Sequence, residues 1–86
     1  MIFISLLKWK KAPTKEMVNE ATNPLNELEK QGIKLSVYWT LGRYDAVTLI
    51  EAPTEKDAMK ALLRFQDIVE TETLVAVPRE EAIKLL

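Results

Sequence analysis

The sequence predicts an α+β fold: a four-stranded antiparallel sheet of order 4-1-3-2, two helices on one face and a short C-terminal helix. Three observations predict it. Four runs rich in β-branched and aromatic residues alternate with two amphipathic stretches in the order β-α-β-β-α-β. The two middle runs are separated only by a short glycine-containing segment, which makes them a hairpin. Right-handed crossovers then place both helices on the same side of the sheet, in the ferredoxin-like split βαβ arrangement.

The first strand spans Met1 to Trp9, where Ile2, Phe3, Ile4, Leu6, Leu7 and Trp9 are strand formers. Ala12-Pro13 ends it. From Thr14 to Gln31 the apolar residues Met17, Ala21, Leu25 and Leu28 keep one helical face, and Gly32 stands at the position of a C-terminal stop. Pro24 removes one internal hydrogen bond, and Asn23 before it can cap a second segment. The expectation is a kinked helix or two collinear pieces. Lys34 to Leu41 and Tyr44 to Ala52 are the second and third strands, joined by a two-residue turn at Gly42-Arg43. Thr54 and Asp57 have the spacing of a capping box. They open a helix that buries Ala58, Ala61, Leu62 and Phe65 and ends near Asp67. Ile68 to Val77 is the fourth strand, Pro78 stops it, and Arg79 to Leu86 forms the terminal helix.

The chain of 86 residues is a single domain spanning 1–86. A domain this small buries only about 60% of its unfolded surface and needs added stabilisation. Cysteine and histidine are both absent, which excludes disulfides and the usual zinc ligand sets. No metal and no cofactor are expected; a partner subunit remains. A net charge of −1 gives no electrostatic reason to bind nucleic acid. No apolar run is long enough to span a bilayer, and none resembles a leader peptide. The expected compartment is the cytoplasm.

The strands alternate poorly. Both faces carry apolar residues, and two helices cover only one of them. The other would leave an apolar patch unusual for a monomer, which face-to-face packing of two sheets would bury. A homodimer, or a multiple of dimers, is therefore expected. Which face meets the helices stays open at this stage. One set (Phe3, Ser5, Leu7 and Trp9 with Thr48, Thr71 and Thr73) is the candidate oligomer interface, and the polar groups within it suit an inter-sheet cavity.

At Gly42-Arg43-Tyr44-Asp45 the chain resembles the GYD domain family, named for a Gly-x-Tyr-Asp element. Ile4-Ser5-Leu6-Leu7-Lys8-Trp9, Glu51-Ala52-Pro53 and Thr71-Glu72-Thr73-Leu74 resemble its opening strand, strand exit and last strand. The resemblance implies a dimeric α+β barrel and no established activity. The hairpin is also similar to the effector domain of leucine-responsive (feast/famine) regulators, which bind amino acids at subunit interfaces.

Tyr38, Gly42, Tyr44 and Asp45 are the candidate ligand-binding residues. Each has a structural reading too. Gly42 suits a turn with positive φ, Tyr44 packs at a strand start, and Asp45 accepts from backbone N–H groups nearby. Lys8-Trp9-Lys10-Lys11 interleaves one aromatic with three cations, a pattern of solvating gatekeepers more often than of a nucleic-acid platform. No residue is assigned a catalytic role, because the histidine that usually activates a nucleophile is missing. The reading is a small-molecule-binding or regulatory module. A cofactor-independent oxygenase or isomerase and a purely structural assembly protein are the alternatives.

Overall fold

The computed structural model describes residues 1–86. The elements run β1 (Ile2–Trp9), α1 (Lys15–Lys30), β2 (Lys34–Trp39), β3 (Ala46–Glu51), α2 (Glu55–Arg64), β4 (Val69–Ala76) and α3 (Arg79–Ala82), with a 3₁₀ turn over Ile83–Leu85. The sheet is antiparallel throughout, with order β2-β3-β1-β4. That is the predicted ferredoxin-like arrangement read from the opposite edge.

Local chemistry sets the helix ends. The Thr14 side chain accepts from the Met17 N–H and caps α1. At its other end Gly32 adopts φ +84°, its N–H reaches the Glu29 carbonyl, and the Ile33 N–H reaches the Leu28 carbonyl. This is the Schellman motif, and the Leu28 and Ile33 side chains join the same core cluster. α1 runs through Pro24 as one helix rather than as two pieces. Thr54 caps α2 through the Asp57 N–H and donates its own hydroxyl to the Asp57 carboxylate.

The hairpin differs from the two-residue turn expected. Trp39 pairs with Ala46, so six residues, Thr40 to Asp45, form the loop. Thr40 closes it twice. Its N–H donates to the Asp45 carbonyl, and its hydroxyl donates to the Tyr44 carbonyl at 2.7 Å. Gly42 keeps the positive φ expected of it, +119°.

The core lies between the sheet and the helices. Phe3 and Ile50 meet Leu28, Ile33, Ala58 and Ala61 there. Ser5 and Thr48 are also buried on this side, and the Ser5 hydroxyl is bonded to that of Thr73 at 2.8 Å. Register therefore settles the face left open by the sequence. Phe3, Ser5, Leu7, Trp9, Thr48, Thr71 and Thr73 all belong to the helix-facing side. Phe3, Ser5, Leu7 and Thr48 are buried within the chain itself, so a second sheet laid on the open face would not reach them. The reason is that buried hydroxyls here have partners or a cavity, so polar Ser5 and Thr48 point inward while Ile2, Ile4 and Leu6 point out.

The open face carries Ile4, Leu6, Val47, Leu49 and Leu74 at its centre. Nothing in the chain covers it. The terminal segment does not fold back, and Ile83, Leu85 and Leu86 remain exposed. The chain presents 6424 Å² of surface, against about 5,200 Å² for a compact monomer of its 9.8 kDa mass. Its radius of gyration, 13.7 Å, likewise exceeds the roughly 12 Å of a compact domain of this length.

Candidate functional site

The helices do not close on the sheet along their whole length. Glu27, in the C-terminal half of α1, and Gln31, at its C-cap, hold Arg64 and Lys60 of α2. Leu28 seals that half into the core. The N-terminal half has no such tie, and Met17, Val18 and Ala21, with Leu25 just past its end, line a cleft instead of filling a core. Pro24 sits at the junction of the two halves.

The cleft has a volume of about 240 Å³. Ala61 and Leu62 of α2 and Phe65 at its C-cap form its second wall, and Leu7, Leu35, Val37 and Val69 contribute to its floor. Both tryptophans of the chain line it, with ring centroids 5.2 Å apart in an edge-on arrangement. Trp39 and Val18 are also exposed, which places the mouth beside them. Fourteen of the 17 lining residues are hydrophobic, and the other three are Thr22, Thr48 and Thr71. No Asp, Glu, Lys, Arg or Tyr side chain lines it. The cleft therefore has no group that could act as a proton donor or acceptor near neutral pH, and no carboxylate to hold a cation. No cluster of metal-ligating residues exists elsewhere in the chain, and no helix is long and apolar enough to cross a membrane.

The candidate ligand residues lie elsewhere. Tyr38 is exposed on the open face, opposite Val47. Gly42 is at the tip of the hairpin loop, with open space around the position a Cβ would take. The Asp45 carboxylate accepts the Trp9 N–H at 2.8 Å, and the Asp45 N–H donates to the Leu7 carbonyl. The side chain thus stands in for the next backbone acceptor where the β1–β3 ladder ends. The Tyr44 hydroxyl donates to the Glu72 carboxylate at 3.0 Å and so ties the loop to β4. The cations of Lys8 and Arg43 lie 5.9 and 5.7 Å from the Tyr44 ring centroid. The bond to Glu72, then the nearby Glu72 charge, hold the Tyr44 hydroxyl above the ordinary tyrosine value. Lys10 donates to the Gln66 carbonyl, so two of the three lysines around Trp9 serve contacts within the chain.

The family model described as the GYD domain matches residues 3–86. The chain belongs to the GYD domain family. No curated protein matches it. Among solved structures, this GYD chain is similar to a dimeric ferredoxin-like protein of unknown function from Thermobifida fusca YX, with a TM-score of 0.53. The two share 17% identity over 87% of this chain and 89% of that one, a likeness that shows the fold. Within this GYD domain the signature residues form a clasp. Gly42 lets the loop turn, Tyr44 fastens it to β4 and Asp45 fastens it to β1 at Trp9.

The sequence pointed to a cavity between the sheets of two copies; within one chain the concavity lies between sheet and helices. Val18, Thr22 and Leu25 were not singled out as its walls. The available signal was the apolar stripe of α1, which is longer than the core can absorb.

Proposed function

We propose that the chain is a homodimeric module that binds a small apolar molecule in the sheet–helix cleft. The observation that carries the reading is the cleft itself: a preformed, largely apolar concavity with a few neutral hydroxyls, as ligand sites commonly are. Its lack of titratable groups favours binding over proton-transfer catalysis at the same place. This separates the reading from the oxygenase or isomerase alternative. Exposed apolar side chains at the mouth separate it from a purely structural assembly, which would have no reason to keep the cavity open.

Self-association rests on the open face. Its apolar centre is flanked by the Lys34–Glu51 pair at one end and by Lys8, Glu70 and Glu72 at the other. An apolar centre with a charged rim is the usual anatomy of an interface. The surplus surface of the chain, about 1,200 Å² over a compact monomer, exceeds the roughly 800 Å² that one side of a stable dimer buries. The Thermobifida fusca protein of the same fold is dimeric. The interface we propose is made by Ile4, Leu6, Val47, Leu49 and Leu74, with Tyr38 and Tyr44 towards its edge. The cleft, on the opposite side of the sheet, stays free in such a dimer. The expected compartment is still the cytoplasm, and a regulatory, effector-like role fits a module that assembles on one face and binds on the other.

The test is a thermal-shift screen with small uncharged and charged organic molecules, run on the native chain and on Ala21→Phe. Ala21 lines the cleft from α1, and a ring added there occupies the space. Uncharged apolar compounds should raise the melting temperature of the native chain by mass action, and Ala21→Phe should lose that response. A response that survives in Ala21→Phe would move the ligand out of the cleft.

A further inference from the structure

The geometry points to the ligand class: an uncharged, two-ring aromatic molecule bearing one hydroxyl or carbonyl, which bonds the Thr48 hydroxyl. This rests on the cleft being the ligand site.

Four features lead to it. The first is charge. A carboxylate or ammonium on the cleft floor would meet no counter-charge, since Lys15 lies outside it in the groove beyond Val18 and Trp39, and an unpaired buried charge is strongly disfavoured. The second is size. A cavity of about 150 Å³ takes a benzene ring, so about 240 Å³ takes roughly one fused ring more. The third is shape. Trp9, Trp39 and Phe65 offer ring faces and edges, and the two indoles already stand at 67° to each other. A planar ring can continue this edge-to-face arrangement, and Met17 adds a thioether that favours aromatic contact.

The fourth is Thr48. It is only 3% exposed and lies on the cleft floor. Its hydroxyl takes part in none of the side-chain hydrogen bonds of the chain. Yet no fully buried side-chain oxygen is without a partner. The oxygen of Thr48 therefore keeps its small exposure, and the space it meets is the cleft. The neighbouring Ser5 hydroxyl, by contrast, is bonded to Thr73, and that of Thr22 turns back to the Val18 carbonyl. Thr71, the third threonine of the lining, is exposed on the edge strand, which leaves Thr48 as the one deep hydroxyl, and one hydroxyl deep in an apolar cavity selects a ligand with one polar atom in reach of it.

The experiment is an amide and indole N–H chemical-shift titration of the whole chain with four probes: 2-naphthol, naphthalene, 2-naphthoate and 1-decanol. 2-Naphthol should bind most tightly and move the indole resonances of Trp9 and Trp39. Naphthalene, lacking the hydroxyl, should bind about three- to tenfold more weakly. 2-Naphthoate should be at least about tenfold weaker, and 1-decanol weaker than 2-naphthol. Thr48→Val should bring 2-naphthol down to the affinity of naphthalene, and Thr48→Ser, which keeps the hydroxyl, should preserve the preference. Should Thr48→Val fail to fold, the ranking of the four probes on the native chain decides. Equal binding of 2-naphthoate or 1-decanol overturns the class. Unchanged 2-naphthol affinity in a folded Thr48→Val overturns the role of Thr48. If no probe moves the cleft resonances, the cleft reading itself fails with it.

Discussion

Asp45→Ala is the substitution that bears most directly on the clasp. Its carboxylate accepts the Trp9 N–H at 2.8 Å, beyond the last backbone pair of β1 with β3. A hydrogen bond to a charged group contributes about 1.5–3 kcal/mol. Asp45 is half-exposed, so water replaces part of the loss, and about 1.5–2 kcal/mol is expected. A chain of 86 residues has a total stability of about 4–13 kcal/mol. The melting temperature should therefore fall by about 6–16 °C. Asp45→Asn keeps an oxygen in place without the charge and should recover about 1 kcal/mol of the loss. The assay is urea denaturation followed by far-UV circular dichroism, at one fixed protein concentration because association couples to folding. Tryptophan emission, to which Trp9 and Trp39 both contribute, should shift in the same samples of Asp45→Ala before global unfolding, since the Trp9 indole follows its backbone and touches that of Trp39. A loss below about 0.5 kcal/mol, or Asn as costly as Ala, would refute the clasp.

At Gly42 the obstacle is φ +119° and not space, because nothing lies near a Cβ there. Gly42→Ala should therefore already cost about 1–3 kcal/mol in urea denaturation, and Gly42→Val at least as much; a cost below about 0.5 kcal/mol for Ala would contradict the strained turn. The raised pKa of Tyr44 means that its bond to Glu72 is fully present below the ordinary tyrosine value of 10.0 and is lost as pH climbs through the higher folded value. Ultraviolet titration of the two tyrosines should show one late phenolate step that disappears in Tyr44→Phe, and a late step that persists would assign it elsewhere. On the open face Leu49→Asp introduces a charge beside Ile4. It should convert a dimer into a monomer in light scattering at micromolar concentration; a native chain with only monomer mass would contradict the interface.

The element order was legible because each segment carried its own punctuation. Thr14, Gly32 and Thr54 are caps whose local bonds form irrespective of the rest of the chain. The positive φ of Gly42 was legible for the same reason, but the loop length was not. It depends on Thr40 reaching Tyr44 and Asp45 across the loop, a non-local choice. The facing of the sheet was hidden because Ser5 and Thr48 look polar while Ile2, Ile4 and Leu6 look like core. Only the Ser5–Thr73 bond and the cavity at Thr48 explain why the polar set points inward. The cleft was invisible because an apolar helical stripe reads the same whether it fills a core or lines a void. Leu28 does the first, and Met17 and Ala21 do the second.

The most direct measurement is a crystal structure of the chain grown with 2-naphthol. The two rings should lie between α1, Phe65 and Trp9, with the naphthol oxygen within hydrogen-bond reach of Thr48 and the cleft turned away from the paired open faces. A naphthol on the open face beside Tyr38, or α1 collapsed onto the sheet so that Met17 and Ala21 fill the space, would contradict it.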